Sequence, residues 1–128
     1  MNTVVIGLGS NIDPHRNIHK ARAILSQRFH ILAASSFVKT KPVGFADQAD
    51  FINGAVLIET YLDCHQLRAM VKAIELEMGR VKTANKFGPR VIDLDILVFN
   101  REIVDPDCYQ RDFLKKSVLE LMPDMMIQ

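Results

Sequence analysis

Only two cysteines occur in the 128 residues, Cys64 and Cys108, far apart and with no C-x-x-C pair. A disulfide framework is therefore not expected, and reduced thiols in a cytoplasmic protein are. No stretch approaches the roughly 20 apolar residues of a transmembrane helix. Met1-Asn2-Thr3 runs straight into strand-like residues without a basic n-region or a long apolar segment, so neither a leader nor a membrane partner is expected. Excess charge is also missing: a formal net charge of +1 excludes the global field of a dedicated duplex-DNA binder, though not a local basic patch. The four histidines, His15, His19, His30 and His65, show no metal-ligand spacing. His15 and His19 are four apart on a predicted helix, but no third ligand accompanies them. No nucleophile stands with a base in a pattern that supports covalent catalysis. Repeats, low-complexity tracts and linkers are absent too, which leaves one domain over residues 1–128.

What is present reads as alternating strands and helices. Thr3 to Gly9 is β-branched and apolar and ends in small residues, a buried strand. Asp13-Pro14 is an N-cap followed by a first-turn proline, and Ile18, Ala21, Ile24 and Leu25 form one helical stripe to about Gln27. A second strand is expected from Phe29 to Lys39 and a loop from Thr40 to Asp50. Phe51 to Tyr61 is a third strand. Asp63 caps a second amphipathic helix carrying Leu67, Met70, Val71, Ile74 and Met78, which stops at Gly79. A loop from Arg80 to Arg90 leads into a strand from Val91 to Phe99. A short polar stretch and a tail from Leu114 to Gln128 complete the chain. The order β-α-β-β-α-β is the split βαβ arrangement, an α+β ferredoxin-like sandwich with an antiparallel-rich sheet and both helices on one face. The other face is expected to lack helical cover. With Ile92, Leu94, Ile96 and Val98 packed beneath the helices, Asp93 and Asp95 project onto that open face.

Two carboxylates two residues apart on a strand point the same way. Side by side in an apolar run they repel each other and lose hydration, a cost that a bound cation relieves. The segment just before them, Arg80 to Arg90, holds four cations and no acid. Cations beside a carboxylate pair suit a polyphosphate with its Mg²⁺, since Mg²⁺ typically takes one or two carboxylates plus substrate phosphates. The alternative is a solvated basic loop salt-bridged to an edge-strand acid pair. Phe51 and Asn53 share a face of the third strand, where an aromatic beside an amide can hold a flat heterocycle; core packing is the alternative for Phe51 and for Phe113. Gly7-Leu8-Gly9-Ser10-Asn11 lacks the third glycine of a dinucleotide fingerprint, Ile12 standing in its place, and reads as a tight turn that takes the chain out of the sheet.

Gly9-Ser10-Asn11, Thr40-x-Pro42-x-Gly44, Phe51-x-Asn53, Glu75-x-x-x-Gly79-Arg80 and Gly88-Pro89-Arg90-x-x-Asp93-Leu94-Asp95 occur in that order. Arg111-Asp112-Phe113 and Glu120-x-x-Pro123 extend the series. Together they resemble the signature of the 6-hydroxymethyl-7,8-dihydropterin pyrophosphokinases of folate biosynthesis, over essentially the whole chain. The resemblance implies a ferredoxin-like fold and transfer of pyrophosphate from ATP to the hydroxymethyl group of a reduced pterin, with release of AMP. It implies two Mg²⁺ ions on Asp93 and Asp95, with Arg80 and Arg90 acting with them in catalysis. ATP would be bound by Glu75, Arg80, Lys82, Arg90, Ile96 and Arg111. The pterin would lie between Phe51 and Phe113, its amide edge read by Asn53 and the backbone around Thr40 and Val43. The partners implied are these two small molecules and no nucleic acid, and the loops Thr40 to Asp50 and Arg80 to Arg90 would close over them.

The sequence departs from this family at several points. Val104-Asp105 stands where the family has a Pro-His pair whose histidine contacts ATP, and the connection from Phe99 to Arg111 is several residues shorter. Lys41 replaces a common proline, and Lys115 to Ser117 replaces an apolar stretch. A pterin-binding paralogue with lost or altered transfer is accordingly the alternative to an active pyrophosphokinase. An RNA-binding module on a similar sheet would need aromatics spread over the central strands and a basic surface, against the near-neutral charge and the aspartate pair.

Overall fold

The computed structural model describes every residue except 45–46, 81–88 and 128. Its strands are β1 (Asn2–Ser10), β2 (His30–Ala34), β3 (Val38–Thr40), β4 (Phe51–Thr60), β5 (Asp93–Phe99) and β6 (Glu102–Ile103). The helices are α1 (Pro14–Arg28), α2 (Cys64–Glu77) and α3 (Asp112–Leu121), with a 3-10 turn at Pro106–Tyr109. The strands form one sheet in the order β2-β4-β1-β5-β6, with β3 also on β4, and every pairing is antiparallel. This is the expected α+β ferredoxin-like sandwich. β1 lies at its centre because it is apolar enough to be buried on both faces, with Val4, Val5 and Ile6 fully enclosed.

The larger core cluster joins Val4, Ile6 and Leu8 of β1 to Ile18, Ala21 and Leu25 of α1 and to Leu67, Val71 and Ile74 of α2. Ile92, Leu94 and Ile96 close it from the β5 side. α2 starts where expected: Asp63 accepts from Gln66 N–H at 2.8 Å, while Gln66 Oε1 accepts from Asp63 N–H at 2.9 Å, a complete capping box. At α1 the capping position is right, but Asp13 sits in the left-handed region (φ 42°) and makes no side-chain cap bond. Asn17 instead ties the turn by donating to Ile12 O.

Four expectations are corrected. The second strand is split: Ser35 donates its N–H to Ala55 O at 2.9 Å while its hydroxyl accepts from Ala55 N–H at 2.8 Å. The side chain thus replaces a backbone partner, and the chain is bent between β2 and β3. Phe37 in the bend packs on Gly54, where a Cβ would collide with its ring. Val98 does not join the stripe under α1 and α2. The register slips between Val5/Val98 and Ile6/Ile96, leaving Leu97 as a bulge that moves Val98 to the opposite face. The open face is not bare either. The tail contains α3, whose Val118, with Met122 just beyond it, packs on Val5, Ala55, Leu97, Val98 and Cys108, covering part of that face and leaving the end with the aspartates uncovered. Finally, Gly7 and Gly9 are not in a turn; they belong to β1, which continues through Ser10.

Because α2 carries Glu75 to the site, its cap is a structural requirement. Asp63→Ala is expected to lower the unfolding free energy by about 1 kcal/mol in urea denaturation, with Gln66→Ala giving a smaller loss.

Candidate active site

β1 and β5 pair so that Gly7 lies opposite Asp95 and Gly9 opposite Asp93. Both glycines therefore lie on the same side as the carboxylates, and the room their side chains would need is taken by other residues. A Cβ on Gly9 would collide with Asn53 Oδ1, and one on Gly7 would press on Leu97. On the far side of β1, Asn53 is held by donating its Nδ2 to Thr40 Oγ1 at 2.6 Å. Leu97, pushed out by the bulge, forms the floor.

These residues line one open cleft. Its walls are Phe51 and Asn53 from β4, Thr40 from the end of β3, Lys41 and Val43 from the segment between β3 and β4, and Phe113 and Leu114 from α3. At its other end stand Arg90, Asp93, Asp95, Asp105, Asp107 and Arg111. The structure thus brings together Thr40, Val43, Phe51, Asn53, Phe113, Arg90, Asp93, Asp95 and Arg111 of the expected set. Lys82 lies outside the described residues, as does most of the loop expected to close over the site. Glu75, Arg80 and Ile96 are not in this cleft. Ile96 lines a second one with Arg68, Val71, Lys72, Leu94, Val104 and Pro106; Asp95 and Asp105 belong to both. The two clefts meet at these two carboxylates.

Glu75 is 3% exposed and filled by protein donors. Its Oε2 accepts from Arg80 Nη1 at 2.6 Å and from Leu94 N–H at 2.7 Å. Leu94 is the residue between the two aspartates, so Glu75 pins the backbone that presents them. Arg80 Nη1 reaches on to Asp93 Oδ1 at 3.0 Å. On the opposite side, Asn11 donates its N–H to Arg90 O at 3.1 Å and accepts Arg90 N–H on Oδ1 at 2.8 Å. Its Nδ2 donates to Gln48 Oε1 and Ala49 O, at 2.7 and 3.0 Å. One buried amide therefore ties the end of β1 to the segments that precede β4 and β5.

Burial, reinforced by the charge of Asp93 and a hydrogen bond between the two carboxyls, pushes the Asp95 carboxyl up to about 8. Lys72 pulls the other way, and Asp105 adds to the rise. Lost hydration is the larger cause and the neighbouring acids the second, and together they outweigh Lys72. Among the described residues no group of three or more ligating side chains is assembled. Two adjacent carboxylates beside an open space fit a hard divalent cation that completes its shell with phosphate oxygens and water, and so fit Mg²⁺ rather than a metal needing an all-protein cage. Burial, with help from Asp105 and Asp107, pushes the Cys108 thiol up to about 11, so it is no nucleophile. Both cysteines are free.

Several lining residues were not expected from the motifs. Gly7 and Gly9 carried a usable signal, because their spacing of two matches the alternation that also pairs Asp93 with Asp95. Asp107, Arg68 and Lys72 are isolated charges with no sequence pattern of their own, brought in only by the tertiary fold, whereas Asp105 and Lys41 were marked as departures from the family's motifs.

An aromatic and amide slot that opens onto paired carboxylates and arginines, on an α+β sandwich, is the layout of a transferase that moves a phosphate group onto a flat heterocycle. The chain belongs to the 7,8-dihydro-6-hydroxymethylpterin-pyrophosphokinase family, whose model matches residues 5–123. It is 36% identical over 138 residues to the 2-amino-4-hydroxy-6-hydroxymethyldihydropteridine pyrophosphokinase of Haemophilus influenzae, covering 99% of this chain and 86% of that protein. Against the protein of the same name from Bacillus subtilis the identity is 39% over 131 residues, covering 94% and 78%. The mitochondrial folate synthesis bifunctional protein of Pisum sativum is 36% identical over 129 residues, 93% of this chain and 25% of that longer protein.

The raised Asp95 carboxyl has a consequence for stability. Between about pH 4 and pH 8 the folded chain keeps a proton on Asp95 that the unfolded chain has released, so metal-free stability falls as pH rises through this window. Urea unfolding at pH 5 and pH 8 is expected to show a loss smaller by on the order of 2–4 kcal/mol in Asp95→Asn than in the unsubstituted chain. Equal losses would contradict the crowding of charge at Asp95.

Proposed function

We propose that the protein transfers pyrophosphate from ATP to 6-hydroxymethyl-7,8-dihydropterin, giving AMP and the pterin pyrophosphate, with Mg²⁺ held by Asp93 and Asp95. The observation that carries this reading is the meeting of two clefts at Asp95 and Asp105, one with an aromatic and amide lining and one reached past the carboxylates.

In the first cleft the pterin ring lies between Phe51 and Phe113, which supply flat apolar walls. Asn53, its amide set by Thr40, reads the heterocycle's edge together with the backbone near Thr40 and Val43. ATP occupies the second cleft with its base side near Ile96 and its phosphates directed to the junction. Asp93 and Asp95 would hold two Mg²⁺ ions, which would supply neutralisation of phosphate charge. Arg90 and Arg111 line the junction and take phosphate charge directly. Arg80, 3.0 Å from Asp93 Oδ1, would take phosphate charge at the same place.

The pterin hydroxyl oxygen forms a bond to the β-phosphorus while the bond from that phosphorus to the α,β-bridging oxygen breaks. AMP leaves with the electron pair, and the hydroxyl proton passes to solvent. No covalent enzyme intermediate is required, in keeping with the absence of a nucleophile and base pair among the described lining residues. Catalysis is alignment and charge stabilisation. The free thiols of Cys64 and Cys108 suit a reducing, cytoplasmic setting. No helix among the described residues is long and apolar enough to cross a membrane.

The test is AMP formation from ATP, Mg²⁺ and 6-hydroxymethyl-7,8-dihydropterin. Turnover is expected, and none at high protein concentration would overturn the reading; pterin binding without AMP would leave a pterin-binding paralogue. Asp95→Ala is expected to lower turnover by about 10³-fold or more while circular dichroism shows a retained fold. Phe113→Ala is expected to weaken pterin affinity by about tenfold or more, read by fluorescence titration.

A further inference from the structure

Glu120 belongs to the motif series that runs along the chain, yet it lines neither cleft. It sits about two turns beyond Phe113 on α3 and on the same side of the helix. Its Oε1 accepts from the N–H and from the hydroxyl of Ser36, each at 2.8 Å. The Ser36 hydroxyl and N–H, with Lys116 adding to them, hold the Glu120 carboxyl below its ordinary value, so this acceptor is ionised at neutral pH.

Ser36 lies in the bend between β2 and β3. The ladder on β4 stops at Ala34 and resumes at Val38, and Ser35 bonds to Ala55 in between. The bend is thus fastened to β4 on one side and to α3 on the other. It leads directly into one wall of the pterin slot. Phe37 packs on Gly54, and β3 then lies along β4 with Val38 opposite Asn53 and Thr40 opposite Phe51. The other wall is Phe113, carried by α3.

A solvated ion pair contributes little, because two long side chains must be held in one place. Glu120 differs, since it answers a backbone N–H that falls between two ladders. The packing of α3 on the sheet is apolar, with Val118, Leu114 and Leu121 against Val5, Ala55, Leu97 and Val98. Apolar contact is non-directional, so by itself it fixes neither the rotation nor the axial position of a short helix. A slip of one residue moves a helix by about 1.5 Å and turns it by about 100°, which is enough to take Phe113 off the slot.

We infer that Glu120 is a positioning residue for the pterin: bonded to Ser36, it fixes the place of α3 and so the spacing of Phe113 from Phe51 and Asn53 across the slot. The inference rests on the placement of the pterin proposed above.

The experiment is fluorescence titration of the full chain with 6-hydroxymethylpterin in the presence of Mg²⁺ and α,β-methylene-ATP, with calorimetric titration of the nucleotide analogue beside it. Glu120→Ala is expected to weaken pterin affinity by about fivefold, and to leave analogue affinity and Tm nearly unchanged. Glu120→Gln keeps an oxygen acceptor at the same reach and is expected to recover most of the affinity. In a chain already carrying Phe113→Ala, Glu120→Ala is expected to add little, because the wall it positions is gone. Unchanged pterin affinity in Glu120→Ala would overturn the inference alone. So would the same loss repeated in the Phe113→Ala chain, or equal weakening of both ligands with a large fall in Tm, since either would assign Glu120 only to general support of the fold. An unsubstituted chain that binds the nucleotide analogue and no pterin would overturn the placement of the pterin along with it.

Discussion

The antiparallel register of β1 on β5 sets Gly7 beside Asp95 and Gly9 beside Asp93, and the whole cleft follows from this pairing. Two carboxylates on adjacent same-face positions are tolerable only where something else meets their charge. The positions beside them on the neighbouring strand carry no side chain of their own, and the room is taken by Asn53 from β4 and by Leu97. Burial and the charge of Asp93 push the Asp95 carboxyl up to about 8. A slip of the register by one residue would turn both aspartates into the core of Val4, Ile6 and Leu8 and destroy site and fold together.

What keeps the register from slipping is polar and buried. Glu75 accepts the Leu94 N–H, so α2 is fastened to the strand at the residue between the aspartates. Asn11 fastens the other end by its reciprocal bonds with the Arg90 backbone. The two clasps flank the carboxylates, and each also carries a connection outward: Glu75 to Arg80 and Lys72, Asn11 to Gln48 and Ala49. The residues that present the charge are thus joined to those that answer it.

How much of this was legible beforehand depended on periodicity. The α+β order came from apolar spacing of two and 3.6, and the cap at Asp63 from local chemistry; both are properties of neighbouring residues. The common face of Asp93 and Asp95 followed from strand alternation alone, as did that of Phe51 and Asn53. Alternation failed at Leu97, because a bulge depends on the partner strand and leaves no trace in the spacing of Ile96, Leu97 and Val98. It failed again at Ser35, where a hydroxyl replaced a backbone acceptor. The covering of the second face by α3 was lost because its apolar residues, Leu114, Val118 and Leu121, are interleaved with Lys115, Lys116 and Glu120 in a segment read as a tail. Lys72 and Asp107 became site residues only through folding, and no local rule marks such positions.

Asp105 is the residue where the chain differs most in chemistry from the resemblance that first pointed to its family. An anion beside the phosphate path would oppose binding if it stood alone. Here its Oδ1 accepts from the Asp107 N–H at 3.0 Å and caps the 3-10 turn, so part of its charge is met by backbone. Asp107 in turn lies 3.5 Å from Arg111 Nη2. The turn therefore brings acids into the cleft together with the cation that offsets them. The junction lined by Asp93, Asp95 and Asp105 also carries Arg90 and Arg111, so the acid that stands where the resemblance expects a histidine joins a place where charges of both signs already meet.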